Sequence, residues 1–78
     1  MGLMQQPSVG RVVHYVSRGS ADGVFAPACR AAILTAVGPE DDADLCVFNP
    51  TGLYFDQGLK HNESKTPGTW HWPERVDD

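Results

Sequence analysis

Residues Leu45-Cys46-Val47-Phe48-Asn49-Pro50-Thr51-Gly52-Leu53-Tyr54-Phe55 constrain this chain more than any other stretch. Two apolar runs, rich in β-branched and aromatic residues, flank a turn signal of four residues. Asn49 can hydrogen-bond the backbone ahead of it, Pro50 pre-sets φ for the second turn position, and Gly52 can supply the positive φ of a bulged hairpin loop. The stretch predicts a β-hairpin. It bears on fold and carries no chemistry.

The rest of the chain is read around that hairpin. Arg11-Val12-Val13-His14-Tyr15-Val16 is a strand pattern, with Val13 and Tyr15 on one face and Val12, His14 and Val16 on the other. Apolar residues on both faces predict a central strand or one that meets an interface. Residues 26–37 admit two readings. Pro27 suits the start of an Ala-rich helix and Gly38 its end. Against this, β-branched Ile33, Thr35 and Val37 recur at every second position, which favours a strand. The strand is preferred; it places Ala31, Ile33, Thr35 and Val37 on one face and Arg30, Ala32, Leu34 and Ala36 on the other.

Composition marks the connections. Ser17 to Gly23 is a loop, Gly38 to Asp44 an acidic turn, and Asp56 to Pro67 a long polar loop without periodicity. Thr69-Trp70-His71-Trp72 alternates as a last strand, stopped by Pro73. The expected fold class is all-β, a small SH3-like barrel or a strongly bent five-stranded antiparallel sheet. The alternative is α+β with a helix at about 27–37. Residues 1–78 are expected to be a single domain: a flexible arm over 1–8, a β core over 9–73 and a frayed acidic tail over 74–78.

A chain of 78 residues is short of core. It buries about 60–65% of its unfolded surface, and its core contributes only about 3–5 kcal/mol. With two cysteines, no disulfide framework can make up the difference, so a homo-oligomer is expected. The net charge is −4 and Lys and Arg nowhere cluster, which argues against non-specific nucleic-acid binding. No apolar run approaches the ~18–20 residues of a membrane span. Met1 to Gly10 lacks the basic and apolar regions of a signal peptide, so a cytoplasmic setting with reduced thiols is expected.

Few residues point to chemistry. Trp70 and Trp72 face the same way, either completing the core or forming an aromatic platform for a base or a proline-rich peptide. His71, between them, points to the opposite face. With His14, Cys29 and Cys46 it offers a Cys2His2 set, but no Cys-x-x-Cys or His-x3–5-His spacing supports zinc. Buried free thiols are therefore expected, with no metal and no cofactor. A Cys–His nucleophile pair has no motif behind it. Glu40, Asp41, Asp42 and Asp44 read as a solvated turn and lack calcium-loop spacing. Without a phosphate loop or a hydrolase elbow, the chain is expected not to be an enzyme. Arg30 stands among Ala28, Ala31 and Ala32, and its guanidinium fork suits a phosphate or carboxylate, or a neighbouring acidic side chain. Arg11 and Arg18 bracket the first strand and could join it in a small anion pocket.

Val9-Gly10-Arg11-Val12-Val13-His14-Tyr15, Cys29-Arg30-Ala31-Ala32-Ile33, Leu45 through Gly52, and Gly68-Thr69-Trp70-His71-Trp72-Pro73-Glu74 together resemble a family of small proteins from actinobacteria and their phages. The closing Thr-Trp-His-Trp-Pro-Glu is the most distinctive part. The resemblance implies a phage or prophage context, in the bacterial cytoplasm or in the virion, and transfers no site residue. In that context the expectation is a non-enzymatic small binding protein that sequesters a nucleotide or other small anionic signal of host defence. The alternative is a structural virion or accessory protein, or a host-protein-binding adaptor, acting through protein contacts. Candidate ligand-binding residues are Arg30, Arg11, Tyr15, His14, Trp70, His71, Trp72 and Asn49.

Overall fold

The computed structural model describes residues 6–19 and 26–73. Period-two patterning is realised in five strands: β1 Val12–Val16, β2 Cys29–Val37, β3 Ala43–Asn49, β4 Gly52–Leu59 and β5 Trp70–His71. All pair antiparallel in one sheet of order β4-β3-β2-β1-β5. The segment that could have been a helix is strand β2, where its β-branched residues pack on a pleated surface. The expected arm over 1–8 and tail over 74–78 lie largely outside the described residues, as does much of the loop that follows Gly19.

One face of the sheet holds the core. Val13, Tyr15, Ala32, Leu34, Ala43, Leu45, Val47, Leu59 and Trp70 are buried together, with Trp72 packed against them. The register explains the grouping, because Val13 pairs with Ala32, Ala32 with Val47, and Leu34 with Leu45. Residues directly opposite on antiparallel strands share a face.

The β3–β4 hairpin falls where the sequence places it, but its turn differs in detail. Asn49 pairs with Gly52, leaving Pro50 and Thr51 as the loop, and Gly52 does not take a positive φ. The left-handed residue is Gly58, at φ +66°, opposite the register shift between Ala43 and Leu45. It forms a bulge that lets β4 run on to Leu59, and its N–H donates to Asp44 Oδ1 at 2.9 Å. The expected loop over 56–67 therefore starts only after Leu59.

The sheet is not closed, yet its edges come near one another. Beyond β4 a parallel bridge joins His61 to Trp70. Trp70 N–H donates to Lys60 O at 3.0 Å, and Asn62 N–H donates to Trp70 O at 2.8 Å. The acidic segment makes a single 3-10 turn, Pro39–Asp41, with Glu40 and Asp41 at φ +56° and +63°. That turn aims the Asp41 carbonyl at the core, where it accepts the Trp70 indole N–H at 3.1 Å.

Candidate functional site

At the end of the sheet where β1 stops and β2 begins, the core face opens into a cleft. Tyr15 and Arg30 are directly paired there, and Asn49 and Tyr54 come from the β3–β4 hairpin on the same face. Ser17, Arg18, Gly19 and Ala26, flanking the strands, complete the lining of a cavity of about 470 Å³. A volume of that order suits a small organic ligand.

The polar groups in this cleft are arranged in two sets. On one wall Arg18 Nη1 donates to the Tyr15 hydroxyl at 3.0 Å and to Asp56 Oδ2 at 3.0 Å. The Tyr15 hydroxyl in turn donates to Asp56 Oδ2 at 3.2 Å. Burial pushes the Tyr15 phenol above its ordinary range, with the Asp56 charge and hydrogen bond adding to it and the Arg18 cation pulling the other way. Arg18 is held protonated more firmly than usual, chiefly by its hydrogen bond to Asp56. Gly68 lies against this wall, and a Cβ placed on it would come within 2.8 Å of Arg18 Nε. Arg18 is thus positioned from both sides, and much of its charge is already met by Asp56.

Arg30 forms the other set. Its Nε is buried and finds no hydrogen-bond acceptor among the described residues. A guanidinium with an N–H in that state favours an incoming anion, because a buried unpaired donor costs about 1–3 kcal/mol and a phosphate or carboxylate can satisfy it through a charge-assisted bond. The Tyr15 and Tyr54 rings stand 6.4 Å apart, tilted 49°, and give the cleft aromatic surface. The Ser17 hydroxyl accepts the Ala28 N–H at 2.9 Å, a structural contact.

Of the residues singled out by sequence, Tyr15, Arg30 and Asn49 meet in this cleft. Trp70 is fully buried in the core, and Trp72 is half-buried beside it, the two rings edge-on at 5.3 Å. The Arg11 guanidinium lies over the Trp72 ring at 4.8 Å and so belongs to that cluster. Tyr54 was not singled out; pairing it with Val47 across the hairpin would have placed it on the cleft side. Arg18 joins the cleft as its position after the first strand suggests.

On the opposite face of the sheet His14 pairs with His71, their rings edge-on at 5.4 Å. Cys29 comes beside them. Both cysteines are free, but Cys29 is exposed and Cys46 half-buried, so the expectation of buried thiols is corrected. β2 starts at Cys29, and that position leaves its side chain uncovered. Near this cluster Trp72 N–H donates to Glu63 Oε2 at 2.9 Å, and His61 Nε2 lies 2.6 Å from the same oxygen. Partial burial pushes the Glu63 carboxyl upward, but the Trp72 N–H, the His61 hydrogen bond and the charges of His61 and His71 together hold it below its ordinary range.

No family model, curated protein or solved structure matches this chain. No helix among the described residues is long and apolar enough to cross a membrane.

Proposed function

We propose that this protein is a non-enzymatic small binding protein that takes a nucleotide or similar small anionic ligand in the cleft between Arg30 and Tyr54. The observation that carries the reading is the buried Arg30 Nε, which finds no acceptor among the described residues and belongs to a side chain that lines a ligand-sized cavity. Arg30 supplies the anion contact, Tyr15 and Tyr54 supply ring surface, and Asn49 offers both a donor and an acceptor for a base or sugar. Arg18, tied to Asp56, sets the wall of the cleft. The resemblance to small phage proteins gives the role its context, sequestration of a nucleotide signal of host defence inside the bacterial cell. We also propose that the chain works as a homo-oligomer through the face of the sheet opposite the core, where Val12, Phe48, Leu53 and Phe55 are exposed.

Thermal unfolding against a panel of cyclic and linear nucleotides tests the ligand. A ligand at ~100 times its Kd adds about 2.7 kcal/mol, which in a domain of this size raises Tm by on the order of 10 °C. One nucleotide class should give that shift, and Arg30→Ala should lose it while unfolding near the temperature of the ligand-free parent. A flat panel at high concentration overturns the reading and leaves the protein-contact alternative, as a virion component or a host-protein adaptor.

A further inference from the structure

We propose that His14, Cys29 and His71 form a binding site for a zinc-class transition-metal ion, on the face of the sheet opposite the Arg30 cleft. Their donor atoms all lie within 4.8 Å of one another.

Strand register brings them together. β1 lies between β2 and β5, so His14 stands directly opposite His71. Val16 stands opposite Cys29, and two residues along β1 returns to the same face at His14. The three donors come from three different strands, so no short ligand spacing can appear in the sequence. Cys46, the other cysteine, sits on β3 opposite Ile33 and is not part of the cluster.

The distances suit a metal. A tetrahedral zinc with Zn–S of about 2.3 Å and Zn–N of about 2.0–2.1 Å holds its sulfur and nitrogen ligands about 3.6 Å apart, and two nitrogens about 3.3 Å apart. Cys29 Sγ lies 3.9 Å from His71 Nε2. No pair of donors exceeds 4.8 Å, so the remaining closure is at most about 1.5 Å by the same geometry, met by rotation of the exposed Cys29 side chain and small turns of the imidazole rings. The donors also fix the class of ion. One thiolate and two imidazoles select zinc, cobalt(II) and their neighbours, and offer nothing to calcium or magnesium, which want oxygen. Glu63 accepts the N–H of Trp72, the residue after His71, and so adds negative charge beside that end of β5. His71 is fully buried and held in place, whereas Cys29 is exposed and leaves the ion a way in.

Three protein ligands leave a fourth position for water or an outside donor. The evident consequence is structural. β5 is a strand of two residues at the sheet edge, and a metal would tie it to β1 and β2 at one point. For a small chain, metal-binding energy is folding energy. Binding deprotonates the Cys29 thiol: the S–metal bond forms as the S–H bond breaks, and one proton passes to solvent while the imidazoles coordinate as neutral rings.

The test titrates the reduced, chelator-treated full chain with cobalt(II) and then zinc. One cobalt per chain should appear with the intense visible bands of tetrahedral coordination and a thiolate charge-transfer band, and zinc should displace it. Zinc should also raise Tm and protect Cys29, but not Cys46, from alkylation. Cys29→Ser changes an exposed strand-end residue; it should keep the fold, abolish the charge-transfer band and weaken binding at least tenfold. Cys46→Ser should bind as the parent does. Absence of a tetrahedral cobalt spectrum overturns the proposal, as does cobalt binding of undiminished affinity in folded Cys29→Ser.

Discussion

Trp70 ties the core to the segment after β4 and to the acidic turn. It is fully buried, its backbone bridges to the segment after β4, and its indole N–H is satisfied by the Asp41 carbonyl at 3.1 Å. That carbonyl is delivered by a turn in which Glu40 and Asp41 hold left-handed backbone at φ +56° and +63°, a conformation that costs a non-glycine residue about 1–2 kcal/mol. Trp70→Phe keeps an aromatic ring, leaves a cavity and strands the Asp41 carbonyl. The expected loss is about 2–3 kcal/mol, combining the volume and hydrogen-bond terms. Urea unfolding checks it, with the midpoint falling and the m value unchanged. A change below about 0.5 kcal/mol would mean that the indole N–H contributes nothing. That Trp70 and Trp72 share a face follows from alternation alone, and so does the position of His71 opposite them. That Trp70 is the buried one does not follow, because its partner carbonyl comes from a strained turn in an acidic segment that composition marks only as solvated.

Elements were legible in proportion to how local their signals are. The hairpin was fixed by neighbouring residues, Asn49 and Pro50 between two β-branched and aromatic runs, and β2 by Ile33, Thr35 and Val37. The end of β4 was not, because Asp56, Gln57 and Gly58 look like a loop until the bulge at Gly58 lets the strand continue. The His14–Cys29–His71 cluster was least legible of all: it exists only through register between strands far apart in the chain. Loops can be as informative as strands here. Gly68 sits at φ +82°, its N–H donates to Val16 O at 2.7 Å, and it packs against Arg18. Gly68→Ala strains the backbone and forces the Arg18 guanidinium to shift against the cleft wall. We expect a stability loss of about 1–2 kcal/mol from the positive φ, together with weakened binding of whichever nucleotide shifts the parent's Tm. Loss of stability with ligand affinity intact would show that Arg18 is not a necessary part of the wall.

The molecule as a whole has one face filled by the core and another on which Val12, Phe48, Leu53 and Phe55 stand exposed. Two rows of side chains cross the outer face: Val12, Ile33, Cys46 and Phe55, and beside them His71, His14, Ala31, Phe48 and Leu53. Neither row holds an Asp, Glu, Lys or Arg. Phe55 is 67% exposed and Leu53 60%, whereas the buried apolar residues of the core face are few and include small alanines. We expect a chain of this size to gain stability by covering such a patch, and a second copy would offer matching uncharged surface through a two-fold axis. In a two-fold interface each substitution acts twice, so a single buried charge is costly. Sedimentation of the parent should therefore give a small closed oligomer whose Tm rises with protein concentration. Phe55→Glu should give a folded monomer with an unchanged far-UV spectrum and a Tm independent of concentration. A parent that sediments as a monomer at high concentration would exclude self-association and leave the same face for a virion or host protein. The Arg30 cleft lies on the other face of the sheet, so nucleotide binding should survive in the Phe55→Glu monomer; loss of binding there would place the ligand between subunits.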